Sequence, residues 1–129
     1  LSMEYKDFQG LFVGDLEKDG EDMILDTRNE EGEEMLLDYD LLKVGHHGSK
    51  SSSQLEFLTS ALPEISVISC GKNNRYGHPH EEVLDRLEAV GSKVYLTMDS
   101  GAITVNTDGE RMRIKKYLSV NVKISFSII

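Results

Sequence analysis

Tryptophan is absent, cysteine occurs once and proline twice. The single cysteine, Cys70, excludes an internal disulfide framework and leaves the redox compartment unmarked. No apolar run approaches the ~20 residues that a membrane helix needs. The N-terminus lacks the basic-then-apolar pattern of a signal peptide. It begins Leu1-Ser2-Met3, which reads as the start of an excised piece. A basic excess is also missing: 14 Lys and Arg face 23 Asp and Glu, for a formal net charge of −9. That balance argues against a free-standing nonspecific DNA binder, whose affinity comes mainly from phosphate neutralisation.

The acids are unevenly placed. Residues 1–40 hold fourteen of them against three bases, and the remaining residues are mildly basic. The acidic stretch of residues 30–40 reads most simply as a solvated face. Length and an apolar share of 39% fit a single domain with a real core.

All four histidines fall in two glycine-flanked segments. One is Gly45-His46-His47-Gly48-Ser49-Lys50, the other Asn74-Arg75-Tyr76-Gly77-His78-Pro79-His80. Imidazole is the commonest metal ligand and the side chain most easily tuned for proton transfer near neutral pH. Lys43, Lys50, Lys72 and Arg75 flank these turns and give them a local basic rim.

The pattern between them is layered. Residues 9–15 read as a strand ending in a Gly-Asp turn, and residues 17–26 as a helix weakened by Gly20. Residues 41–44 form a short strand. Ser52 or Ser53 caps a helix to about Leu62, and with Ser53 as cap Glu56 stands as the acid of a capping box. Residues 65–70 are a β-branched strand. Pro79 suits the first turn of a helix to about Val90 with an apolar stripe of Val83, Leu84, Leu87 and Val90, closed by Gly91. Strands follow at 93–97 and 102–106, joined at Asp99-Ser100-Gly101, then at 111–117 after an Asp108-Gly109 turn, and last at about 120–128. The fold class is α/β.

Three successive strands therefore end in Asp15, in His46-His47, and in Asn74 with His78. If the strands are neighbours, these groups converge and suit a Zn²⁺ or Mn²⁺ site. Adjacent residues of a strand point to opposite faces. One of His46 and His47 is thus expected to be a ligand, and the other to meet substrate or carry a proton. Residues 48–53 make a fair anion site at a helix start. Plainer readings stand beside these: His80 as an exposed first-turn residue, Ser51 to Ser53 as a polar loop, Cys70 as packing.

Taken together, Phe12-Val13-Gly14-Asp15-Leu16-Glu17, residues 42–52, and residues 69–80 followed by Val83-Leu84-Asp85-Arg86-Leu87 resemble the C-terminal part of the metallo-β-lactamase-like domain of ComEC competence proteins. Residues 94–105 resemble the hairpin that follows there. The resemblance spans about residues 8–106. It implies the C-terminal half of an αββα sandwich, a single partial domain over 1–129 with an extra β segment at about 111–129. It implies a metal-dependent hydrolase, a phosphodiesterase or nuclease serving DNA uptake. It makes Asp15 and His47 metal ligands of a two-metal Zn or Mn site and His46 and His78 catalytic, with Ser49, Lys50 and Asn74 binding substrate.

The His-x-His-x-Asp-His signature of such domains is absent here. The expected partner is accordingly the missing N-terminal half, with a weak or absent metal site in this piece alone. Single-stranded DNA and a second copy docked on an uncovered sheet face are further expected partners. The parent protein is expected in the bacterial cell membrane, with this domain soluble. Two alternatives are a non-catalytic folding or interaction module and a hydrolase of small phosphoesters or lactones.

Overall fold

A computed structural model describes residues 1–30 and 38–118. The strand expected at 120–128 and most of the acidic stretch lie outside the described residues. Strands β1 (Ser2–Tyr5), β2 (Phe8–Phe12), β3 (Leu41–Lys43), β4 (Ile65–Ile68) and β5 (Lys93–Leu96) form one sheet in that order. β1 is antiparallel to β2, and β2 to β5 run parallel. Parallel neighbours require crossovers. These are helices α1 (Lys18–Glu30), α2 (Leu55–Ala61) and α3 (Glu81–Ala89). A single helical turn α4 (Thr97–Ser100) then leads to a ribbon of β6 (Ile103–Thr107) and β7 (Met112–Lys116).

Strand alternation sorts side chains onto the two faces. Leu42, Val44 and Ile68 meet Phe57 and Leu58 of α2 and Val83 and Leu87 of α3 on one side. Phe8, Leu41 and Ile65 face the other way, where Val105, Met112 and Ile114 of the ribbon pack over them. The result is three layers: helices, a five-stranded mixed sheet, a two-stranded ribbon. At about 25 cal/mol per Å² of apolar area, each fully buried leucine or valine here stabilises the fold by roughly 1.5–3 kcal/mol. The sheet face expected to lie bare carries this ribbon.

Most expected elements are present. β1, which the sequence pattern did not reveal, adds an antiparallel edge. Residues 93–97 and 102–106 do not form a hairpin, because β5 and β6 belong to different sheets. Asp99 and Ser100 lie within α4, which turns the chain from one layer to the next. The Ser53 cap is also absent. Helix α2 starts after Gln54, and Ser53 adopts φ +54° with its Oγ buried and without a partner.

The start of α2 is held instead by Glu21. Its fully buried carboxylate accepts N–H groups of Ser53 (2.5 Å) and Gln54 (2.9 Å). The Gln54 N–H is one of the donors that a helix start leaves without internal partners, and the Ser53 N–H belongs to the residue just before it. Burial pushes the Glu21 carboxyl up from 4.5, against the opposing pull of the Gln54 and Ser53 N–H groups. Of the N–H groups at residues 48–53, that of Ser53 is thus taken by the protein's own carboxyl group.

Candidate functional site: a histidine cluster at the strand ends

The C-terminal ends of β2, β3 and β4 are adjacent, so the loops that follow them share one edge of the sheet. Ligands of parallel sheets gather at this edge. Backbone hydrogen bonds stitch the loops together. His46 N–H donates to Gly14 O (2.9 Å), and His80 N–H donates to Gly48 O (2.9 Å). The Gly14-Asp15 turn, the His46-His47 turn and the His78-Pro79-His80 segment thus form one unit.

The turn after β3 is sharper than the sequence suggested. His46 (φ 45°) and His47 (φ 56°) both adopt left-handed backbone conformations, and Gly48 follows at φ 82°. Such angles are costly for side chains with a Cβ and cluster at functional sites. The reversal therefore starts at His46 itself rather than at Gly48. Gly48 is required for a different reason: an added Cβ would lie 2.7 Å from Pro79 Cβ.

The environment sets each imidazole. His46 Nδ1 lies 2.8 Å from Glu17 Oε1, which also accepts Ser51 Oγ–H at 2.9 Å. These hydrogen bonds, from Ser51 first and His46 second, hold the exposed Glu17 carboxyl below its usual value. A carboxylate only accepts, so the Nδ1 of His46 carries a proton, and in the neutral ring Nε2 is the nitrogen with the lone pair. His47 Nδ1 donates to Ser69 O at 2.7 Å, which also leaves its Nε2 free to coordinate. His80 is the reverse case: its Nδ1 accepts Lys50 N–H at 3.1 Å. The rings pack edge to face. His78 lies 5.9 Å from His46 and 4.9 Å from His80, centroid to centroid, and Tyr76 stacks on His78 at 5.6 Å. Burial lowers the His78 pKa from 6.5, and the neighbouring rings of His80, His46 and His47 lower it further.

The other expected site residues occupy distinct places. Asp15 is exposed in its turn. Lys43, half-buried at the end of β3, donates to Val44 O at 3.0 Å. Burial pulls the Lys43 ammonium below its usual range, and Asp15 acts in the opposite sense. Asn74 is engaged by its own loop: its amide donates to Gly71 O and His78 O and accepts His78 N–H. It holds the backbone that presents His78. The Ser49 Oγ is paired with that of Ser51 (2.9 Å). The Lys50 backbone serves His80 and accepts Arg86 at its carbonyl, while the residue itself is exposed. Glu17 was missed as a functional group. Its only sequence signal was its position two residues after Asp15.

Asp15 and His47 supply two candidate metal donors. Among the described residues, no three or more His, Cys, Asp or Glu side chains are grouped to hold a metal ion. The described residues by themselves therefore do not make up a two-metal centre. No described helix is long and apolar enough to cross a membrane.

A layered α/β sheet with a histidine cluster at its strand ends is the class that these features define. No family model and no solved structure matches the chain. Curated proteins do. ComE operon protein 3 of Bacillus subtilis is 41% identical over 103 residues, 80% of this chain and 12% of the relative. Recombination protein 2 of Haemophilus influenzae is 35% identical over 104 residues, 76% of this chain and 13% of the relative. Competence protein ComA of Neisseria gonorrhoeae is 35% identical over 112 residues, 83% of this chain and 16% of the relative. The names of these homologues support a competence-associated family. The chain spans less than a fifth of the length of each.

Proposed function

We propose that the chain is the C-terminal half of a metallo-β-lactamase-like hydrolase domain in a ComEC-type competence protein. In this reading the whole domain cleaves phosphodiester bonds of DNA during uptake. The observation that carries it is the stitched edge: the loops that hold Asp15, His46 with His47, and His78 follow three neighbouring strands and are joined by the His46–Gly14 and His80–Gly48 backbone hydrogen bonds.

Each group has a role that its surroundings support. His46, oriented by Glu17, presents an Nε2 lone pair able to take a proton from an attacking water or pass one to a leaving oxygen. His78, with its lowered pKa, is a neutral hydrogen-bonding imidazole near pH 7. Asp15 and His47 would contribute to a Zn²⁺ or Mn²⁺ centre completed by donors from another segment. Such a metal would polarise the phosphoryl oxygen. Lys50, exposed, would stand at the rim where the strand would pass, while Ser49 is buried and paired with Ser51. The parent protein would lie in the cell membrane with this domain in solution.

The test is cleavage of a labelled DNA strand by the whole metal-loaded domain. Activity lost in Asp15→Ala supports the reading; a folded, metal-replete domain that leaves the strand intact refutes it. One observation favours a second reading, a non-catalytic module: the described donors fall short of a metal set. Turnover by this chain alone would rule that module out.

A further inference from the structure

His80 is the histidine that the proposed chemistry leaves without a task. Its position at the start of α3 would suit a solvated first-turn residue. The structure gives it a more specific environment. Its Nδ1 accepts the backbone N–H of Lys50 at 3.1 Å, and its ring stands edge-on to His78 at 4.9 Å. Its own N–H donates to Gly48 O, so both the ring and the backbone of His80 are tied to the loop that follows His46-His47.

An imidazole nitrogen that accepts a hydrogen bond carries no proton. The neutral ring must then hold its proton on Nε2, on the side away from Lys50. His46 and His47 are set the opposite way, with Nδ1 protonated by their contacts to Glu17 and Ser69 O. The cluster thus combines two imidazoles that offer lone pairs with one that offers an N–H. Phosphoryl oxygens only accept hydrogen bonds, so of these three rings the one that offers an N–H is the one suited to bind such an oxygen directly.

We propose that His80 is a substrate-binding residue that donates its Nε2–H to a phosphoryl oxygen held beside His78. The inference rests on the phosphodiester reading above. The oxygen could belong to a nucleic-acid strand or to a small phosphate.

Asparagine and glutamine separate the two ring nitrogens. In His80→Asn the side-chain oxygen can replace Nδ1 and keep the Lys50 bond, but no donor reaches the Nε2 position. In His80→Gln the amide N–H reaches that position. Inorganic phosphate and a short single-stranded oligodeoxynucleotide are titrated separately into the wild-type chain and both variants, followed by amide shifts of residues 45–52. Folding is checked by melting and by the Lys50 amide signal. We expect His80→Asn to weaken each probe that the wild type binds by about tenfold, the loss of one hydrogen bond to a charged group. His80→Gln should stay within about threefold. The probe bound more tightly identifies the source of the oxygen.

The reverse order, with the asparagine variant binding normally and the glutamine variant weakened, would make His80 a structural acceptor and overturn the proposal. Equal binding by all three proteins would overturn it while leaving the phosphate site in place. Absence of binding by the wild type to either probe would overturn both. Long-range ¹⁵N–¹H correlation on the free chain gives an independent readout. A proton on Nε2 of His80 is expected, and one on Nδ1 would contradict the donor role whatever the substrate.

Discussion

Glu17 and Glu21 stand one helical turn apart at the start of α1, and the protein uses them in opposite ways. Glu17 lies in solvent at the histidine edge and binds His46 and Ser51. Glu21 lies beneath it with no exposed surface and binds the Ser53 and Gln54 N–H groups. Hydrogen bonds hold the carboxyl of Glu17 below the common reference of 4.5, while burial raises that of Glu21. The difference teaches that chemistry and scaffold are divided within a single turn of helix. The residue just before α1 orients the site, and the one a turn later anchors the layer that carries it.

The largest expected effect is at Glu21. Glu21→Ala leaves the buried Ser53 N–H and the part-buried Gln54 N–H without their partner and opens space beneath α1. A loss of about 3 kcal/mol is expected, read as a lower urea midpoint. A loss under about 0.5 kcal/mol would mean that the Ser53 and Gln54 amides find water instead. Gly48→Ala should cost somewhat less, about 2 kcal/mol. It forces a Cβ into a left-handed residue and against Pro79. Its melt should be accompanied by shifts in the His46 and His80 ring signals, because that glycine joins their loops.

Glu17→Gln sharpens the contrast from the other side. Stability should change by less than about 0.5 kcal/mol, since the side chain is exposed. The His46 ring should lose its preference for the Nδ1–H form, which ¹⁵N–¹H correlation would detect. An unchanged tautomer would show that Glu17 does not orient His46.

The two acids also act oppositely on stability as pH changes. Glu21, raised in the folded state, contributes most below 4.5, and its contribution declines as pH rises through its raised value. Glu17, lowered in the folded state, contributes above 4.5 and loses that contribution as pH falls through its depressed value. Urea midpoints measured from pH 3 to 7 should therefore show a Glu21→Gln deficit that shrinks toward neutral pH. A deficit that grows toward neutral pH would reverse the assignment. The smallest expected effect is at His78 in the metal-free chain: its ring should titrate below 6.5. A midpoint above that value would mean that burial does not dominate there.

Much of the fold was legible because it rests on local periodicity. The β-branched run at residues 65–68, the apolar stripe of α3 and the Gly91 stop are all visible in the chain order. The parallel pairing was legible only indirectly, through the strand–helix alternation. What failed did so for identifiable reasons. β1 has an exposed, mixed pattern that no period reveals, and pairing with β2 makes it a strand. Ser53 looked like a cap because serine at that spacing commonly is one, but it adopts a left-handed backbone, and its own N–H, which Glu56 would take in a capping box, goes to Glu21, 32 residues away. The turn at residues 97–101 looked like a hairpin, yet the chain there leaves one sheet for another.

The sequence by itself determined which chemistry is available. Every imidazole was placed in two turns beside glycines, and the strand ends were marked by Asp15, His46-His47 and His78. Only the tertiary structure decided how that chemistry is arranged. Whether an imidazole offers a lone pair or an N–H depends on what its other nitrogen touches. Those partners, Glu17, the Ser69 carbonyl and the Lys50 amide, lie 22 to 30 residues away in the chain. No spacing rule reports contacts at that range; they exist because parallel strands bring successive loops to the same edge.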